Sequence, residues 1–220
     1  MKLGYKVTDT RRVNIYNMNR REFLRRSVFS ALAVAVTGIP LSVQGEGKPA
    51  KLTVKETHFK FSEPLVRRSR TDAIVIHHVG GTDQEIPASK IHEWHLANKW
   101  AGIGYHYVIH KDGTVERGRP MNSVGAHCYD HNHNTVGICF VGDYERAVPT
   151  GAALSSGVLL MAYICKTYGI KPGPETILGH KDLNDTLCPG KNMYAKLGAF
   201  RKTVRSEEHT SELQSLREIS

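Results

Sequence analysis

The sequence predicts a single α/β domain built on a central mixed β-sheet flanked by helices. Three observations carry this expectation. The 220 residues suffice for one core of ordinary size. Short apolar runs alternate with stretches of helical spacing between Thr71 and Val204. One hairpin-type turn, Lys111-Asp112-Gly113, interrupts that alternation and adds antiparallel pairing to it.

Each element has its own signal. AIVIHH (Ala73 to His78) is a short apolar run that ends in histidines and meets Gly80-Gly81, the pattern of a buried strand opening onto a loop. From Pro87 to Lys99, Ile91, Trp94, His95 and Asn98 recur at helical spacing, with Ser89 as the expected cap and the tryptophans packing helix against sheet. YHYVIHKDGTVERGR makes the two hairpin segments, with Tyr105 and Tyr107 expected on one face. TVGICFVGDY (Thr135 to Tyr144) reads as a second central strand. Ala152 to Tyr168 is the longest apolar helix, stopped by Gly169. TILGH (Thr176 to His180) is a further strand, and Tyr194 to Val204 a final short helix.

The expected domain runs from 71 to 204, preceded by a leader at 1–45 and a charged spacer at 46–70. The polar segment 205–220 reads as a disordered or artefactual tail without function. The net charge of +9 suggests a polyanion partner until it is divided along the chain. Residues 1–45 hold eight Lys/Arg against Asp9 and Glu22, so only +3 falls on the rest and no nucleic-acid partner is expected. Within the leader, Arg20-Arg21 with Phe23 and Leu24 precede an uncharged run from Ser27 to Gly45, which resembles a twin-arginine export signal with Asn19 where Ser or Thr is usual. Met18 would place those arginines close to a start. A membrane anchor is the competing reading, since the run approaches the ~20 residues of a bilayer span, although Gly38 and Pro40 interrupt it. Either way the mature part is expected outside the cytoplasmic membrane, in the periplasm or cell envelope, touching a membrane only through an uncleaved leader.

The chemistry-bearing residues cluster at strand ends. His77 follows AIVI, His180 follows TILG, and Cys188 lies in the loop GHKDLNDTLCPG. Two imidazoles and a thiolate make a tetrahedral zinc set with a fourth position open for water, as catalytic sites have. By residue type alone, the alternatives stay open: a structural site with a fourth ligand drawn from the twelve histidines, or strand-end histidines that are only hydrogen-bonded. Four cysteines are too few and too irregular for a disulfide framework; a Cys128 to Cys139 bridge and buried thiols are both compatible with the spacing. An exported redox protein is a rival function, but neither a Gly-rich dinucleotide loop nor a CxxC pair supports it.

Taken in order, AIVIHH, WHLANKWAGIGYHYVIHKDGTVERGR, VGAHCYDHNHNTVGICFVGD and LGHKDLNDTLCPG resemble the type 2 N-acetylmuramoyl-L-alanine amidases. That family includes phage lysozyme-type amidases and the peptidoglycan recognition proteins. The resemblance covers about Thr71 to Phe200 and implies that fold, with zinc held by His77, His180 and Cys188. It implies hydrolysis of the amide between N-acetylmuramic acid and L-alanine of peptidoglycan stem peptides, by a monomer acting on peptidoglycan or muropeptides. A non-catalytic peptidoglycan-binding module is the alternative, disfavoured because Cys188 and Tyr105 are both present. His78 is expected to be structural, since adjacent strand residues point to opposite faces. Tyr105 matches the family's catalytic tyrosine, and Thr186 stands where relatives carry Lys or Thr. His127 matches a histidine of the substrate groove, and Asn134 is expected to help shape that wall. His131 and His133 are expected to face solvent, as are Arg117 and Arg119.

Overall fold

A computed structural model describes residues 52–207; the leader and most of the tail lie outside the described residues. Six strands form one sheet: β1 (Val54–Lys55), β2 (Ala73–His78), β3 (Tyr107–Ile109), β4 (Val115–Arg117), β5 (Thr135–Phe140) and β6 (Ile177–Gly179). Their order is β1-β4-β3-β5-β2-β6. Only β3 and β4 pair antiparallel, through the hairpin, and the other pairings are parallel. The expected mixed sheet is therefore the observed one.

Both central strands are buried along their whole length, because helices cover the two faces. On one face Ile74, Ile76, Val136, Ile138 and Phe140 pack beneath α2 (Gly151–Tyr168) and α4 (Leu197–Glu207). On the other, Val108, Val141 and Ile103 meet Ala88 and Ile91 of α1 (Ala88–Ala97). A single turn, α3 (Lys191–Tyr194), precedes α4.

The caps show which sequence signals were local. Thr150 caps α2 through Ala153 N–H at 3.1 Å, and Gly169 ends the helix at φ 67°, as αL caps do. Ser89 does not cap α1. Its start lies one residue earlier, and Glu116 of β4 accepts the Ala88 N–H at 2.8 Å instead. This buried carboxylate also receives Lys55 Nζ at 2.9 Å and His110 Nε2 at 3.0 Å, tying β1, the hairpin and α1 together.

Part of the expected spacer belongs to the domain. Leu52 is buried in the core, β1 extends the sheet beside β4, and Arg68 is 6% exposed. Arg68 donates to the carbonyls of Met121, Ser123 and Thr135 and to the Thr71 hydroxyl, and its guanidinium also lies against His106. These partners are neutral and mostly backbone, so the segment shows no apolar periodicity.

The two expected tyrosine faces also separate. Tyr107 packs beneath α2, whereas Tyr105 packs toward α1 and the ring of His77. Strand alternation begins only at Tyr107, because His106 forms a bend. Nor do the tryptophans pack between helix and sheet: Trp94 is 39% and Trp100 43% exposed.

Candidate metal centre

Strand register assembles the centre. Ile76 pairs with Gly179 across β2 and β6, so His77 and His180 emerge next to each other, their ring centroids 4.5 Å apart. The loop after β6 then returns Cys188 to the end of β2, where its sulfur lies 3.6 Å from His77 Nδ1 and accepts the His78 N–H at 3.4 Å. One donor atom each from His77, His180 and Cys188 lies within 4.8 Å of the other two. His78 turns to the opposite face, where its Nδ1 accepts the Tyr144 N–H at 3.1 Å.

The donor chemistry fits a tetrahedral divalent ion such as zinc. Nitrogen and sulfur ligands at about 2.1 and 2.3 Å from such an ion stand about 3.6 Å apart, the spacing found between His77 Nδ1 and Cys188 Sγ. Burial, then the neighbouring His127 and His180, hold the His77 imidazole well below its ordinary pKa; burial also lowers that of His180. Both rings therefore keep a nitrogen lone pair available near neutral pH. Burial pushes the Cys188 thiol up to about 12, so a nearby cation is needed for it to act as thiolate.

His180 opens onto a cleft of about 920 Å³ that Thr186, His127, Asn184, Trp100 and Arg119 also line. Tyr105 lies beside the donor set, its ring centroid 5.1 Å from that of His77. Its burial holds the phenol well above the usual value, so it keeps its proton near neutral pH and remains a donor. Thr186 Oγ1 accepts the Cys188 N–H at 3.2 Å, which shapes the ligand loop and leaves the hydroxyl hydrogen free to serve the cleft. Cys128 and Cys139 are separate thiols, not a bridge.

Of the two expected wall residues, only Asn134 changes place. His127 lines the cleft, but its ring is buried behind His77, with Nδ1 3.0 Å from His77 Nε2. Asn134 sits at the start of β5, where its amide donates to Asp72 at 2.9 Å, and it does not line the cleft. The strand register explains this: β5 runs parallel to β2, and the site is at the other end of both. Of the two arginines expected in solvent, Arg119 is buried and donates to the carbonyls of Ile103 and Val124, while Arg117 pairs with Glu56 at 3.1 Å. Asn184 was not singled out by sequence; it lies four residues from His180, and its contact with the Nε2 of that ring, at 3.0 Å, leaves no motif.

The family model of N-acetylmuramoyl-L-alanine amidase matches residues 67–191. The chain belongs to this amidase family. Among curated relatives, the endolysin of Escherichia phage T7 is 42% identical over 80 residues, covering 36% of this chain and 53% of that protein, so the match spans about half of the relative. The endolysin of Enterobacteria phage T3 is 33% identical over 129 residues, covering 56% of this chain and 82% of that one. Among solved structures, the endolysin amidase LysCS of Clostridium intestinale URNW superposes with a TM-score of 0.62 at 32% identity, covering 69% of this amidase-family chain and 97% of its own. Drosophila PGRP-LB, solved as a mutant in complex with tracheal cytotoxin, shares the fold at a TM-score of 0.58 and 24% identity, covering 66% of this chain and 93% of its own.

Proposed function

We propose that the protein is a zinc-dependent N-acetylmuramoyl-L-alanine amidase. Its substrate is the amide joining the lactyl group of N-acetylmuramic acid to L-alanine of a peptidoglycan stem peptide. The observation that carries this reading is the convergence of His77, His180 and Cys188 beside an open cleft, in a chain of the amidase family. The phage endolysin relatives and the LysCS amidase support peptidoglycan as the substrate. The leader motif supports a place of action outside the cytoplasmic membrane.

Bound between these donors, zinc would polarise the scissile carbonyl and lower the pKa of a water from ~15.7 toward ~7. The side chains do the rest. His77 and His180 offer neutral lone pairs, and the His78 N–H, 3.4 Å from the sulfur, stabilises Cys188 as thiolate. Water adds to the carbonyl carbon, the C–N bond breaks, and the departing L-alanine nitrogen takes up a proton. Tyr105, holding its proton beside His77, donates to the carbonyl oxygen as negative charge develops on it. Thr186 supplies a second, uncharged donor from the ligand loop. Trp100 and Arg119 contribute apolar and cationic wall to the cleft that receives the rest of the muropeptide.

Zinc-loaded protein should release stem peptides with a free L-alanine amino group from purified peptidoglycan, read by mass spectrometry, and Cys188→Ala should release none. Full activity in that variant would overturn the ligand assignment. Binding to peptidoglycan with no peptide released would instead establish the non-catalytic recognition module.

A further inference from the structure

Behind the donor set, two neutral side chains face the far nitrogens of both imidazoles. Asn184 Oδ1 lies 3.0 Å from His180 Nε2, and His127 Nδ1 lies 3.0 Å from His77 Nε2. The geometry points to Asn184 and His127 as the positioning residues of the centre, holding each ligand imidazole in the tautomer that presents Nδ1 to the ion. This inference rests on the reading of His77, His180 and Cys188 as metal ligands.

The orientation of Asn184 follows from its neighbours. Its Nδ2 donates to the Tyr129 carbonyl at 3.3 Å, and its Oδ1 also accepts the Cys128 thiol at 3.2 Å. An amide oxygen only accepts, so His180 must carry its hydrogen on Nε2 and keep the Nδ1 lone pair. For His77, Nδ1 is the atom facing Cys188, which puts the hydrogen on Nε2 and makes His127 Nδ1 the acceptor. His127 then carries its own hydrogen on Nε2, 3.5 Å from Thr135 Oγ1, and the Thr135 hydroxyl donates to the His131 carbonyl at 2.6 Å. Every donor in this chain has an acceptor, and its direction is set by the ligand end.

The backbone is shaped to hold the His127 ring. A Cβ on Gly125 would stand 2.4 Å from its Cδ2, and one on Gly137 2.5 Å from its Cγ, so two glycines form a slot for the imidazole. A residue that merely lined the cleft would not need one. Asn132 Oδ1 fixes the loop by accepting the N–H groups of both His127 and Cys128, at 2.7 and 3.0 Å. Consecutive residues therefore serve the two ligands: His127 contacts His77, and Cys128 contacts the amide that contacts His180.

The choice of acceptor has a chemical consequence. A carboxylate behind a ligand histidine raises its basicity and adds negative charge. An amide and a neutral imidazole orient the rings without that charge. Because Cys188 already contributes one negative charge as thiolate, neutral acceptors leave more of the ion's positive charge for the substrate carbonyl.

Chelator competition with zinc, together with the visible spectrum of the cobalt-substituted protein, tests this. Asn184→Ala and His127→Phe, the latter filling the slot without an acceptor, should each bind zinc about 10–100-fold more weakly than the parent and shift the cobalt bands. Asn184→Asp keeps the acceptor for His180 but loses the donor to Tyr129, so it should retain parental affinity and show a reduced kcat. Parental affinity in both Asn184→Ala and His127→Phe would overturn the inference. An Asn184→Asp variant as weak as Asn184→Ala would reduce Asn184 to a loop tie and overturn its part, a comparison that stands even if His127→Phe fails to fold. If the parent protein itself binds no stoichiometric zinc, the metal-centre reading falls first, and this inference with it.

Discussion

His77 and His180 leave neighbouring parallel strands side by side, their rings 4.5 Å apart, because Ile76 and Gly179 are in register. A slip of one residue would present His78 in place of His77, since successive strand residues face opposite sides. The centre is therefore as well placed as the sheet core is well packed. Ile74, Ile76, Ile138 and Ile177, all fully buried, hold that register.

In the proposed reaction Tyr105 donates to charge formed on the carbonyl oxygen. Tyr105→Phe should lower kcat by about 10²- to 10³-fold, with KM within a few-fold of the parent and zinc affinity unchanged. Steady-state kinetics on a soluble muropeptide measure this, and an unaltered kcat would remove Tyr105 from the reaction.

Arg68 joins the segment before β2 to the carbonyls of Met121, Ser123 and Thr135 and stands beside His106. Arg68→Met removes this donor, but the Met121 carbonyl keeps the Tyr168 hydroxyl at 3.3 Å and the Ser123 carbonyl keeps the His106 ring nitrogen at 2.9 Å. The loss therefore falls mainly on the Thr135 carbonyl, and an unmet buried acceptor costs about 1–3 kcal/mol. Because losing a desolvated cation offsets part of this, a net loss of about 1–2 kcal/mol is expected in denaturant unfolding. A loss below about 1 kcal/mol would mean that water or relaxation satisfies the carbonyls.

Two histidines outside the donor set make stability depend on pH. Burial, helped by the Arg119 cation, lowers His95 to about 4; burial, helped by Arg68, lowers His106 to about 3. An unfolded histidine titrates near about 6.5, so the unfolded chain binds more protons between these values and stability rises with pH. The contribution is fully present above about pH 6.5 and is lost as pH falls through the folded values. Denaturation midpoints of the zinc-loaded protein should fall from pH 7.5 to pH 5. His95→Gln should flatten that slope, and identical slopes would refute the role of His95.

Gly137→Ala tests the slot around His127. The new Cβ would fall 2.5 Å from the imidazole, so either the ring or β5 must move. Strain of this kind costs about 1–3 kcal/mol, and zinc affinity should fall along with thermal stability. Unchanged zinc binding would show that His77 holds its place without His127.

Much of the site was legible because its signals are local. AIVIHH is apolar up to the residue that leaves the core, LGH ends a second strand, and CPG closes the loop that follows. Tyr105 and Thr186 were singled out only through the resemblance of the same motifs to the amidase family. The role of His127 was not, because its partner lies 50 residues away on another strand. Asn134 was misplaced for the complementary reason: nearness in sequence to VGAH says nothing about which end of β5 faces the cleft.

By itself, the sequence determined the alternation of strands and helices, the hairpin and the stop of α2, while the three candidate donors were assigned as ligands, among twelve histidines and four cysteines, only through the family resemblance. The first three follow from periodicity and turn chemistry within a few residues. Only the tertiary structure decided that Glu116 caps α1, that Arg68 belongs to the core, and that the bend at His106 sends Tyr105 and Tyr107 to opposite faces. It likewise decided that His127 and Asn184 stand behind the two imidazoles. Such contacts join residues through backbone carbonyls, register and loop return, and these leave no periodic trace in a chain. They exist only once the packed sheet has brought its strand ends together.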